Sequence, residues 1–153
     1  MPAQIVIRPA TVAAAFASGI FDELDADLKT RYPGSWIHGL DPNEFESAGG
    51  YIVLAHNGAD VVGCGAFRPL DAQIVEIKRM FVRAELRGRG IARQVLSALE
   101  RQARERGYVE AKLETGTRQP EAIALYITCG YEPIERFGLY AQYARSVCFR
   151  KRL

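Results

Sequence analysis

The chain has 153 residues, 48% of them hydrophobic, with 20 basic against 18 acidic side chains. That length supplies one domain, residues 1–153, with a core that needs no metal or disulfide staple. Composition near the globular average excludes the disordered, collagen-like and membrane classes, and a net charge of +2 is too small to name nucleic acid or an anionic membrane as the main partner.

In chain order, Gln4 to Arg8 alternates as a first strand that stops at Pro9. Thr11 is placed to cap a helix on which Val12, Phe16, Ile20, Leu24 and Leu28 recur every four residues, ending at Pro33-Gly34. Residues 35–49 have no clear period and read as loop or short helix. Tyr51 to Ala55 and Asp60 to Phe67 form two strands joined through Asn57-Gly58, residue types that tolerate the positive φ of a tight hairpin. Ile74 to Val82 is a third strand, followed by an Arg-Gly-Arg-Gly turn. A long helix comes next, carrying Ile91, Val95, Leu99 and Ala103 on one stripe and stopping at Gly107. Val109 to Glu114 is a strand, Pro120 starts a shorter helix closed by Gly130, and Ser146 to Phe149 is strand-like again. This order predicts a mixed α/β (α+β) fold.

Cys64, Cys129 and Cys148 are odd in number and widely spaced, and with His38 and His56 they assemble no zinc-ligand spacing. No metal is expected, and free thiols fit a reducing compartment, so the expected location is cytoplasmic. The N-terminus lacks a basic n-region, and the apolar stretch from Val12 to Phe21 is too short to span a bilayer.

The most informative segment runs from Val82 to Arg93. A strand ends, a turn rich in Gly and Arg follows, and a helix begins. Unsatisfied N–H groups at a helix N-terminus favour an anion. Gly88 and Gly90 permit close approach to the backbone, and Arg87, Arg89 and Arg93 add charge-assisted donors, together suiting a pyrophosphate. A Walker A loop is excluded because Ile91-Ala92 stands where Lys-Ser/Thr is required, and a dinucleotide fingerprint because Arg93 replaces its last glycine. The alternative is a helix-capping turn with solvated arginines.

Arg87-x-x-Gly90-x-Ala92 between strand and helix resembles the acyl-CoA signature of the GNAT superfamily of N-acetyltransferases. Further blocks agree in order: EIKRMFV with that family's fourth strand, IARQVLSALERQARERGY with its following helix, and QPEAIALYITCGYE with its N-x-x-A-x-x-L-Y-x-x-x-G-F/Y block. The strong part spans residues 50–133. The resemblance implies a central, mostly antiparallel, twisted sheet, splayed at an acyl-CoA site and flanked by helices on both faces. It implies acetyl-CoA as co-substrate and an amine as acceptor. Backbone groups of Met80, Phe81 and Val82 would pair with the pantetheine arm, and the amides of Gly88, Arg89, Gly90, Ile91, Ala92 and Arg93 would hold the pyrophosphate beside Arg87. Tyr126 stands where family members keep a tyrosine near the CoA sulfur, and Glu76 has the offset from Arg87 of the general-base glutamate in one branch. Gln119 replaces the usual asparagine. Homodimers occur among relatives, so a dimer is carried as an expectation.

The chemistry asks for a group to take a proton from the amine, a donor for the thioester oxygen such as the Val82 N–H, and a phenol for the departing thiolate. Glu76 and Tyr126 fill the first and last roles on this reading. Each has a plainer one, Tyr126 as a core tyrosine and Glu76 as a surface ion pair with Lys78. Trp36, Tyr32 and His38, with Phe137 to Tyr140, stand where an acceptor pocket is expected, and Glu114 ends a strand beside it. A binding module without turnover is the alternative function. A nucleic-acid binder using Arg83, Arg87, Arg89 and Arg93 is disfavoured by Glu85, Glu100 and Glu105 interleaved among them.

Overall fold

The computed structural model describes residues 4–35 and 39–153, so the expectations placed on Trp36 and His38 lie outside the described residues. The first strand, β1 (Ile5–Ala10), runs past Pro9. Pro9 faces Val53 in the ladder, but β1 is an edge strand with only one neighbour, where a missing N–H is tolerated. The single helix expected after Thr11 is two, α1 (Val12–Ala17) and α2 (Ile20–Arg31). Gly19 between them takes φ 79°, and the Ser18 hydroxyl both donates to Ala15 O at 2.7 Å and accepts from Ile20 N at 3.2 Å. The four-residue stripe is therefore broken, and Phe16 is left 41% exposed.

A short helix, α3 (Pro42–Ser47), capped by the Asp41 carboxylate, precedes the meander β2 (Tyr51–Asn57), β3 (Asp60–Pro69) and β4 (Ile74–Val82). In the first hairpin the two loop residues are Gly58 and Ala59, since Asn57 pairs with Asp60. Only Gly58 needs positive φ, at 62°. Then follow α4 (Ile91–Glu105), β5 (Glu110–Gly116), α5 (Pro120–Thr128), β6 (Glu132–Ile134) and β7 (Ser146–Arg152).

The strands form one seven-stranded sheet in the order β1-β2-β3-β4-β5-β7-β6. Every neighbouring pair is antiparallel except β4 and β5, which are parallel. The expected mixed, mostly antiparallel sheet is thus present, with helices on both faces. One core packs the α4 stripe (Ile91, Val95, Leu99 and Ala103, all buried) against Val53, Phe67, Val75 and Leu113. The other packs Ala15, Ile20, Phe21 and Phe45, from the first three helices, against Ile52, Leu54, Cys64 and Ala66.

Gly65 in β3 lies directly beneath α4. A Cβ there would lie 2.6 Å from Val95 Cγ1, 2.8 Å from Met80 Sδ and 3.0 Å from Leu99 Cδ1. Gly65→Ala is expected to destabilise the fold by about 1–3 kcal/mol through overpacking. Thermal melting will show it as a fall in Tm of roughly 2–4 °C per kcal/mol.

Candidate active site

The parallel ladder between β4 and β5 is short. Pairing runs from Ile74 with Glu110 to Ile77 with Leu113 and then stops, although both strands continue. The cause lies in β4. Against β3, Cys64 pairs with Phe81 and Ala66 with Lys78, so β4 carries one residue more than its partner over that interval, a β-bulge. Arg79 sits in it with φ 58°, a left-handed conformation that costs a non-glycine residue of order 1–3 kcal/mol.

Its side chain explains how the conformation is held. Arg79 Nη1 donates to Asp25 Oδ1 at 2.8 Å and Nη2 to Phe21 O at 3.1 Å, and the guanidinium lies 4.8 Å from the centre of the Phe21 ring. The Cys64 thiol donates to Arg79 O at 3.1 Å. Burial pushes that thiol up to about 12, so it keeps its proton.

Beyond the bulge the strands fork, and a cleft of about 590 Å³ opens between them. Met80, Phe81 and Val82 form one wall, and Gly88, Gly90, Ile91, Ala92 and Arg93 close one end. That end is built for an anion. The N-terminus of α4 has no side-chain cap and no acid in its first turn, so its first N–H groups are open to a ligand. Gly88 and Gly90 have φ 79° and 80°, and a Cβ on either would meet no atom within 4 Å. The glycines are required by the backbone, and the space above them is free.

The arginines divide. Arg93 lines the cleft, whereas Arg89 does not line it. Arg87 lines the cleft too but turns its Nε inward to Val82 O at 2.9 Å, stacks 5.6 Å from the Phe81 ring and lies 3.8 Å from Asp27. It ties the turn to the end of β4, a role the signature alone does not disclose. Arg83 donates to both oxygens of Glu23, Nε to Oε1 at 2.8 Å and Nη2 to Oε2 at 3.0 Å.

At the other end, Tyr126 on α5 lines the cleft and is 4% exposed. Its ring packs on Tyr131 and Phe149. Burial, with Glu114 and Cys129 nearby, holds its phenol well above the ordinary value.

Glu76, singled out by its offset from Arg87, is buried in the sheet. It does not line the cleft, is 1% exposed, and has both oxygens engaged. Oε1 accepts from Arg68 Nε at 2.9 Å and lies 2.8 Å from Nη2, and Oε2 accepts from the Tyr140 hydroxyl at 2.6 Å. This is a buried, fully partnered carboxylate and not an exposed pair with Lys78, whose Nζ is 3.9 Å away.

The carboxylate that does face the cleft is Glu114. Its Oε2 accepts from Ser146 Oγ at 2.6 Å. Burial raises its pKa to about 7, opposed by that hydrogen bond and by Lys78 and reinforced by Glu76. Gln119 caps the end of β5, its Oε1 accepting from Gly116 N at 3.2 Å and lying 3.4 Å from the Tyr32 hydroxyl. Tyr32 presses so closely on Gly116 that a Cβ there would clash with its hydroxyl. Among the described residues no group of three or more His, Cys, Asp or Glu side chains gathers to hold a metal, and no helix is long and apolar enough to cross a membrane.

The sequence model of the acetyltransferase (GNAT) family matches residues 20–131. The chain belongs to the GNAT family. An IAA acetyltransferase of Azospirillum brasilense is 33% identical over 154 residues, covering 100% of both chains. The uncharacterized N-acetyltransferase YsnE of Bacillus subtilis (strain 168) is 33% identical over 123 residues, 79% of this chain and 82% of its own. Among solved structures, a candidate acyl-CoA N-acyltransferase from Klebsiella pneumoniae superposes with TM-score 0.82 at 28% identity, over 98% of each chain. This GNAT chain is an acetyltransferase, of a family that uses acetyl-CoA.

Glu114 makes a prediction about stability. Its folded pKa is raised from 4.5 to about 7, so folding favours the protonated form. The stability it contributes is fully present below pH 4.5 and is lost as the pH rises through 7. Glu114→Gln removes that dependence. The Tm of the variant relative to wild type is expected to climb between pH 4.5 and 7 and then level off, as scanning calorimetry in matched buffers will read.

Proposed function

We propose that this enzyme transfers the acetyl group of acetyl-CoA to a primary amine by direct attack within a ternary complex, in a single domain working in the cytoplasm. The observation that carries the reading is the fork itself. It offers a long cleft with an uncapped helix N-terminus at one end and a cleft-facing carboxylate and phenol at the other. The cleft fits an extended acyl carrier ending in phosphates, and acetyl-CoA supplies the activated acetyl group when bound. The open edge of Met80 to Val82 receives the pantetheine arm as an added strand would. The amides of Gly88 to Arg93 hold the pyrophosphate.

Glu114, in place of Glu76, takes the proton from the acceptor. With a pKa of about 7, it is ionised for about half of the molecules at neutral pH, which suits a general base. As the amine nitrogen bonds to the acetyl carbon, the carbon–sulfur bond breaks, the electron pair leaves on sulfur, and the amine's proton passes to Glu114. Tyr126, its phenol raised, keeps its proton at neutral pH and faces a thiolate whose pKa is about 8.5. Full transfer is uphill, so Tyr126 acts as a hydrogen-bond donor to the departing sulfur, and solvent completes the protonation. Glu76 acts at one remove, by holding Tyr140 against β4. The cytoplasmic reading rests on three free cysteines, two of them buried. A homodimer is retained as part of the proposal on the resemblance alone.

Two substitutions test this reading. Gly90→Val forces a β-branched residue into φ 80° and is expected to weaken acetyl-CoA binding by about tenfold or more in calorimetric titration, while the circular dichroism spectrum is kept. Unchanged affinity contradicts the loop assignment. Tyr126→Phe is expected to lower kcat by about tenfold or more, a hydrogen bond to a charged group being worth roughly 1.5–3 kcal/mol. An unchanged kcat removes Tyr126 from the reaction.

A further inference from the structure

Lys78 and Glu114 are the first residues past the last β4–β5 pair, Ile77 with Leu113. Ile77 and Leu113 both point into the core packed on α4. Side chains alternate along a strand, so Lys78 and Glu114 leave the sheet together on the opposite face, one on each side of the fork, and both line the cleft. They do not join in an ion pair. Lys78 Nζ donates to the Tyr140 hydroxyl at 3.1 Å, and the carboxylate oxygen within its reach, Glu76 Oε2, is 3.9 Å away and already bonded to Tyr140. An ammonium has three donors, so Lys78 keeps N–H groups for a ligand. Glu114 uses Oε2 for Ser146, which leaves Oε1 for the amine.

The acetyl-transfer chemistry above has work for Glu114 and none for Lys78. The Lys78 side chain is only 11% exposed, and the carboxylate 3.9 Å away, Glu76, is already paired with Arg68 and Tyr140, so the ammonium is costly to keep charged; burial lowers its pKa, with Glu76 opposing. An anionic ligand group would remove that cost. A diamine would bring a second cation against Lys78. An amide would offer it only a carbonyl.

We propose that the acceptor is a zwitterionic amino acid with an apolar side chain, its carboxylate held by Lys78 and its amine by Glu114. The proposal rests on the acetyl-transfer reading and adds the substrate class to it. Leu24 and Leu28 of α2 line the same cleft and give the side chain an apolar wall.

The test uses the full chain, acetyl-CoA, and thiol release as readout. The probes are L-leucine, L-methionine and L-phenylalanine, the amide of each, isopentylamine and IAA, with each amine compared at equal concentration of its unprotonated form. The expected result is a kcat/KM at least about tenfold higher for each free amino acid than for its amide. In Lys78→Met that ratio is expected to collapse toward one through a raised KM for the free acids, and Lys78→Arg is expected to restore part of it. The wild-type ratio alone keeps the test decisive should Lys78→Met fail to fold. Amides or isopentylamine turned over as well as the free acids overturn the amino-acid assignment and leave acetyl transfer to amines standing. Turnover of IAA with none of the amines overturns both, and so does calorimetric binding of acetyl-CoA without thiol release from any probe.

Discussion

The bulge at Arg79 is the constraint on which the site depends. Two parallel strands in register bond to each other along their whole length, and a sheet so closed has no edge to offer a ligand. Here β4 inserts one residue, turns away from β5 after Ile77, and leaves the stretch from Lys78 to Val82 with a free side. The strained conformation is not relieved by glycine but held by a charged side chain reaching into α2, where Asp25, the Phe21 carbonyl and the Phe21 ring receive it. The helix over one face of the sheet therefore fixes the opening of the cleft. Cys64 completes the restraint from β3.

The electrostatics of the cleft follow from what each carboxylate finds around it. Glu76 and Glu114 flank the same fork, yet Glu76 has an arginine and a phenol on its two oxygens and serves to anchor the segment carrying Tyr140. Glu114 has a single serine hydroxyl as close partner and little water. Burial then raises its pKa into the range where a base operates at neutral pH. At the opposite end the field comes from the backbone, an uncapped helix N-terminus behind two glycines. One cleft thus presents a positive end that suits phosphate and a carboxylate end that suits an amine.

Much of this was legible in the residues. The strand read at Ile74 to Val82 is β4 with those bounds, and all four stripe residues of α4 lie in the core as their spacing requires. The turn at Gly88 to Arg93 announced its helix N-terminus through its glycines and the helical stripe that follows. What the sequence hid were effects of the third dimension. No periodicity distinguishes Arg79 from its neighbours, because the bulge is set by the mismatch with β3 and by α2. Glu76 and Glu114 look alike as letters, and only the partners brought from β3 and from residues 138–146 separate them. The break at Ser18-Gly19 was signalled by a glycine but masked by a four-residue spacing that continued through it. Arg87 matched a phosphate-binding motif, while its Nε went to a carbonyl five residues upstream.

The central claim is that the open side of β4 and the uncapped end of α4 form one acyl-CoA site. Amide hydrogen exchange, followed by mass spectrometry with and without saturating acetyl-CoA, addresses it most directly. The account predicts slowed exchange in two separate segments, Lys78 to Val82 and Gly88 to Arg93, rising together with ligand concentration. Exchange unchanged in both segments at saturation would contradict it.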